Sequence, residues 1–281
     1  MPNLRISFAV ILVTLFAAPS VAVQSPYPWL RQIDESESIA MRVEVPRGFE
    51  RDSLPQMSFG HWLRHLPLKR GRPPVLLFNG RLKGNQDAHV AIVNIDVGTS
   101  DLQQCADAVI RLRAEYLYSQ SRYEDIHFDF TSGDEASFGR WAEGYRPVVR
   151  GNEVSWRRSA AGDSSYSAFR DYLNSVFTYA GTYSLSLELT PVSDVENISS
   201  GDVFILGAFP GHAVIVVDTA VNPTSGERIF LLAQSYMPAQ EMHLLRNPAD
   251  GELSPWYSSD FKTVLRTPEW IFRSSQLSTW D

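Results

Sequence analysis

Two neighbouring stretches, Gly201-Asp202-Val203-Phe204-Ile205-Leu206 and Pro210-Gly211-His212-Ala213-Val214-Ile215-Val216-Val217, decide how the chain is read. Both are rich in β-branched and aromatic residues, and Pro-Gly separates them as a turn. They read as strands over Val203 to Leu206 and His212 to Asp218. A third run, Arg228 to Ser235, follows Asn222-Pro223-Thr224-Ser225-Gly226, which is turn chemistry. Three successive strands joined by short turns form an antiparallel sheet. His212 stands at the mouth of the middle strand, where Gly211 permits close approach of another backbone or a ligand.

Upstream lies the only cysteine of the 281 residues, in Ser100-Asp101-Leu102-Gln103-Gln104-Cys105-Ala106-Asp107. Ser100 with Gln103 three positions on reads as a capping box, so the helix is expected from Ser100 to about Tyr118. That places Cys105 about one turn in, on or near an apolar stripe of Leu102, Cys105 or Ala106, Val109, Leu112 or Arg113, and Tyr116. Two readings follow. Cys105 is a nucleophile favoured by the helix dipole, or a small buried hydrophobe.

The remaining segments extend this frame. Ile39, Met41, Val43 and Val45 alternate like a strand up to Pro46. Phe59, Trp62, Leu63 and Leu66 have helical spacing, stopped by Pro67. Val75 to Phe78 and His89 to Val97 read as strands, as does Ile126 to Phe130. Trp141 to Trp156 reads as loops around short strands. Asp163-Ser164-Ser165 caps a helix from Tyr166 to Tyr179, and Tyr183 to Leu189 alternates like a strand. Thr267 to Phe272 is a late apolar segment expected to dock on the core. Strands, a cysteine helix, a second helix and an antiparallel set together predict an α+β fold.

Residues 1–22 read as a signal peptide. Arg5 supplies a positive start, Ile6 to Ala18 is apolar, and Ser20-Val21-Ala22 offers a cleavage site. The apolar run is shorter than the ~20 residues of a spanning helix. Residues 23–281 are then expected to form a single exported domain, periplasmic or extracellular, with no stable membrane span. A hydrophobic content of 44% predicts a sizeable core, and a net charge of −7 argues against nucleic acid. One cysteine allows no internal disulfide, and a thiol in an oxidising compartment must be buried, paired or used.

A catalytic thiol needs a base, and His212 is the best placed of the six histidines. A cationic His212 beside a Cys105 thiolate would form an ion pair. A third residue on the next strand would orient the ring. If the hairpin closes with Asn222 opposite Glu227, Val214 faces Ser235 and Gln234 points away. A loop one residue longer or shorter swaps these faces, so Gln234 and Ser235 both stand. Gln234 is preferred because its amide carbonyl accepts from an imidazole N–H. Gln104 is the candidate oxyanion donor. Trp141, Tyr145, Tyr236 and Trp256 are candidates to line a groove for a peptide or glycan. His61 and His65 are four apart but lack a zincin glutamate, so no metal and no cofactor is expected.

Asp101 to Ala108, Arg111 to Tyr118, Gly201 to Ile205, Pro210 to Ala213, Leu232 to Gln240 and Ser254-Pro255-Trp256-Tyr257 resemble a bacterial domain family of unknown function, number 4846. The likeness covers most of the chain after residue 22 and implies bacterial origin and export, with no established activity. More distantly, the order Cys105, Gly201-Asp202-Val203, Gly211-His212 and Gln234 is similar to the CHAP and NlpC-type amidase–peptidase superfamily. That likeness implies a papain-like fold with the cysteine helix packed on an antiparallel sheet. It also implies cleavage of amide or peptide bonds, with a peptide or peptidoglycan fragment as partner. A binding module of the same fold without turnover is the alternative.

Overall fold

The computed structural model describes residues 25–280. The expected signal peptide at 1–22 therefore lies outside the described residues. The chain builds an α+β fold around one nine-stranded antiparallel sheet.

The N-terminal part carries helix α1 (Ile39–Arg42), strand β1 (Glu50–Arg51), helix α2 (Phe59–Arg64) and strand β2 (His89–Ile92). Helix α3 (Cys105–Ser119) follows. The hairpin of β3 (His127–Asp129) and β4 (Glu135–Ser137) leads into α4 (Phe138–Ala142). A second hairpin pairs β5 (Tyr145–Arg150) with β6 (Glu153–Arg158), then come α5 (Tyr166–Tyr179) and α6 (Thr182–Glu188). The remainder is strand: β7 (Thr190–Pro191), β8 (Val203–Leu206), β9 (His212–Val221), β10 (Arg228–Gln234) and β11 (His243–Leu245). Last come β12 (Tyr257–Ser258), β13 (Val264–Arg266), β14 (Ile271–Arg273) and β15 (Leu277–Thr279).

The sheet runs β2-β11-β10-β9-β8-β15-β7, with β1 added to β9 and β12 to β10. Strands β8, β9 and β10 are central, as their near-continuous apolar sequences require. A strand covered on both faces has no solvent side and loses its polar alternation. One face, with Ala213, Ile215, Val217, Leu231 and Ala233, packs against α3 and the main aromatic core. The other, with Phe204, Val214, Val216, Phe230 and Leu232, is closed by Tyr257, Leu265 and Phe272.

Helix α5 begins after its Ser165 cap and ends at Tyr179, as its sequence predicts. Two alternating segments expected as strands are helices instead. In α6, Thr182, Leu185 and Leu189 at the helical spacing are buried, while Leu187 is 71% exposed. In α1, Ile39 and Val43 are buried four apart while Met41 faces solvent. Short apolar runs satisfy both periods, and packing selects one. The segment around Val75 forms only isolated bridges, Leu76 to Leu82 and Leu77 to Gln240. Among the described residues, no helix is long and apolar enough to cross a membrane.

Candidate functional site

Helix α3 starts later than its Ser100 cap suggested. Gln104 is the N-cap and Cys105 the first helical residue. The Gln104 backbone N–H donates to Asp107 Oδ2 over 3.0 Å, so the acid three positions on closes the cap. Helix geometry leaves the N–H groups of Cys105 and Ala106 without partners inside the helix, directed past the sulfur. Both favour thiolate, as does the Ala213 backbone N–H across the gap from β9. Burial outweighs them, and Asp107 opposes them, so the thiol is pushed up to about 11.

Ala213 follows His212, so the sulfur lies against the β9 backbone one residue along from the imidazole. His212 is almost wholly buried. Its ring lies 4.6 Å from that of Tyr236, 5.1 Å from Trp270 and 5.8 Å from Phe272. This apolar wall pushes the His212 pKa down to about 4, against a smaller upward pull from Gln234. Both shifts disfavour the charged forms, so burial works against the ion pair expected from sequence, because desolvation penalises both charges. Among the described residues, no hydrogen bond joins the Cys105 thiol to the His212 ring.

Gln234 Oε1 lies 3.0 Å from His212 Nε2. The turn closes as the sequence suggested, with Asn222 N–H on Glu227 O. That register alone would have turned Gln234 away. Between Leu231 and Leu232 the pairing slips, so Leu231 faces Asp218 while Leu232 faces Val216. Val217 is the extra residue of a β-bulge. The slip exchanges the faces beyond it and brings Gln234 to the side of His212. Asp218 lies across the bulge and is held by Arg64 and Arg51 at 2.6 and 2.7 Å. Ser235 is turned away from the ring, its hydroxyl within reach of Gln240 O at 2.8 Å and Gln103 O at 3.1 Å, so Gln234 is the orienting candidate.

Behind Gln234 stands a set of residues that sequence reasoning missed. Gln234 Nε2 donates to Glu269 Oε2 over 2.8 Å and lies 3.4 Å from His243 Nε2. Lys83, 6% exposed, pairs with the other Glu269 oxygen. Glu269 and Trp270 sit in the turn between β13 and β14, the late apolar segment expected to dock on the core. It docks on the site. The only sequence signal for Glu269 was one acid inside an otherwise apolar run. Phe209 at 84% and Met237 at 67% exposure flank His212 and Tyr236 in sequence and present apolar surface to solvent.

Other predicted residues lie elsewhere. The Gln104 side chain donates to Asp101 Oδ1 over 3.1 Å. Its place at the helix cap is structural, and the unpaired N–H groups at the helix start are the better anion donors. Tyr236 reaches the site, and its ionisation is opposed by burial, then Glu269, then Cys105. Trp141 is buried beneath the Arg146 guanidinium, 3.9 Å above its ring. Tyr145 is half-buried in the β5–β6 hairpin. Trp256 is 1% exposed and donates to Glu44 O, beside a separate cavity of about 520 Å³. Aromatic residues bury the most area of any type, and the core claimed Trp141 and Trp256. His61 and His65 stack 4.2 Å apart on α2 and line a cavity of about 500 Å³ with Trp62 and Tyr116. Among the described residues, no group of three or more His, Cys, Asp or Glu could hold a metal ion.

The helix-start Cys105 against the β9 backbone at Ala213, and the strand-start His212 with Gln234 on the next strand, make up the candidate site on an α+β scaffold. The sequence model of a family described as "Domain of unknown function (4846)" matches residues 39–279. The chain belongs to that family. Comparisons with curated proteins and with solved structures gave no match.

Proposed function

We propose that the protein is an exported cysteine hydrolase of papain-like, CHAP- or NlpC-related architecture that cleaves amide or peptide bonds, with cell-wall peptidoglycan as the envelope substrate. The observation that carries this reading is the fixed His212 ring. Gln234 Oε1 stands 3.0 Å from Nε2, and a proton on Nε2 would leave Nδ1 as the basic nitrogen. The Cys105 thiol sits beside the next residue's backbone N–H.

In this mechanism Cys105 gives its proton to His212 Nδ1 as its sulfur attacks the carbonyl carbon. The N–H groups at the start of α3 hold the oxyanion. The tetrahedral intermediate collapses, the carbon–nitrogen bond breaks, and the amine leaves with the proton from Nδ1. Water then attacks the thioester, passing a proton through Nδ1 to the departing thiolate. The acid product is released and the thiol restored.

The test is incubation of the protein, and of its Cys105→Ala variant, with purified peptidoglycan and its stem peptides. The reading expects new amine and carboxyl termini by mass spectrometry from the first and none from the second. Identical digests would overturn it. One observation favours a second reading, a binding module without turnover: among the described residues no hydrogen bond joins the thiol to the ring, and burial disfavours the charged form of each. That reading expects peptide retention by the wild-type protein and unchanged substrate.

A further inference from the structure

We infer that Glu269, anchored by Lys83, is a positioning residue that sets the tautomer of His212 by dictating which way the Gln234 amide faces. The inference deepens the hydrolase reading and rests on it for its purpose, but not for its measurement.

Donors and acceptors around Gln234 can be counted in full. His243 Nδ1 lies 2.8 Å from Glu241 O, and a carbonyl oxygen only accepts. Nδ1 of His243 therefore carries the proton. Burial holds this ring neutral, with its pKa pushed down to about 3. Its Nε2 is then a bare lone pair facing Gln234 Nε2. The Glu269 carboxylate, at 2.8 Å from the same amide nitrogen, is also an acceptor. Both hydrogens of the Gln234 amide are thus assigned. The amide oxygen has one place left, His212 Nε2, which must donate to it. The proton of His212 sits on Nε2 and the lone pair on Nδ1.

Of the two constraints, Glu269 is the stronger, since a bond to a charged acceptor outweighs a long neutral one. Lys83 holds the carboxylate in place through its other oxygen and neutralises a charge that would otherwise sit beside a buried amide. Remove Glu269, and the Lys83 ammonium loses its acceptor. The Gln234 carbonyl oxygen, whose amide shares the Glu269 carboxylate with Lys83, is an acceptor that can replace it. Turning to meet it, the amide would offer His212 Nε2 a hydrogen instead of a lone pair. The imidazole would answer by moving its proton to Nδ1, the atom the chemistry needs bare.

The test is long-range 1H–15N correlation spectroscopy of the full chain at pH 7, with His212 assigned by loss of its signals in His212→Ala. The wild type is expected to carry the proton on Nε2. Glu269→Ala is expected to carry it on Nδ1, with acyl transfer from p-nitrophenyl acetate to Cys105 falling at least about tenfold. The double variant Lys83→Met with Glu269→Ala removes the competing donor and is expected to return the proton to Nε2. A wild-type proton on Nδ1 overturns the inference, even if Glu269→Ala fails to fold. So does an unchanged tautomer in Glu269→Ala. The nitrogen shifts report the tautomer whether or not Cys105 hydrolyses anything, so failure of the hydrolase reading and failure of this one are told apart.

Discussion

Gln234 Oε1 meets His212 Nε2 at 3.0 Å because β9 carries one residue more than its partner β10. The extra residue, Val217, is buried among apolar neighbours, yet its consequence is polar. It rotates the lower half of the hairpin by one face, so that an amide rather than a hydroxyl faces the imidazole. A bulge that re-aims a side chain beside a candidate site is a recurrent use of that irregularity.

Deleting Val217 should restore regular pairing along β9 and β10. Val216 would stay opposite Leu232 and Asp218 opposite Leu231, so Gln234 would keep its place opposite Val214 on the side of His212. The expected outcome is acyl transfer to Cys105 within a few-fold of the wild type, with a stability loss of about 2 kcal/mol or more from the missing core side chain. Urea unfolding checks the second effect and acylation kinetics the first. A hundredfold fall in acylation by a folded deletion variant would show that the pairing beyond the bulge depends on Val217 itself.

Gly211 is required by space. A Cβ at this position would lie 2.5 Å from both Ala208 O and Leu206 O, and closer still to Thr182 Oγ1. Neither backbone oxygen can move without disturbing β8 or the turn before His212. Gly211→Ala is expected to cost about 1–3 kcal/mol, read as a lower urea midpoint. An unchanged midpoint would mean the turn is more accommodating than its packing implies.

The Cys105 thiol and the His212 ring make opposite demands on pH. With a thiol pKa pushed up to about 11, the thiolate fraction rises about tenfold per pH unit through the neutral range. Alkylation by iodoacetamide should therefore climb steadily from pH 7 to pH 10. A plateau beginning near pH 5 would indicate a preformed thiolate–imidazolium pair and contradict the neutral ground state.

Trp270 is part of the wall that keeps His212 neutral. His212 has a folded pKa of about 4, below its unfolded value. As pH falls from about 6.5 to about 4, the unfolded chain takes up a proton that the folded chain refuses, so this group's stabilising contribution is lost over that window. Trp270→Ala admits water to the ring and should raise the His212 pKa. The variant should then lose less stability between pH 6.5 and pH 4, after allowance for the lost packing at pH 7. Histidine proton shifts followed against pH measure the pKa directly, and an unmoved His212 titration would count against the wall.

Much of this architecture was legible in the sequence, for reasons that can be named. The Ser165 cap and the Val203, His212 and Arg228 runs carried strong local signals, and they form the elements expected. The order of Cys105, His212 and Gln234 also placed three residues that the fold brings to one end of the sheet. The bulge was not legible, since an added valine in Val214-Ile215-Val216-Val217 changes neither composition nor turn chemistry. Nor did the sequence show that Arg111 and Glu115 are fully buried on α3, 3.3 Å apart, with Asp96 as a further partner of Arg111. Glu269 and Lys83 are 186 positions apart and meet only through tertiary packing. Long-range polar partners of this kind leave no periodic trace.

The central claim is that His212 serves as base to the Cys105 thiol. The most direct measurement is the rate at which Cys105 acquires an acetyl group from p-nitrophenyl acetate at pH 7, followed by intact-protein mass spectrometry in the wild type, His212→Ala and Cys105→Ala. The account predicts a thioester at Cys105 that forms at least about tenfold more slowly in His212→Ala and is absent from Cys105→Ala. Equal rates in the wild type and His212→Ala would contradict it and leave Cys105 a buried thiol at the head of a helix.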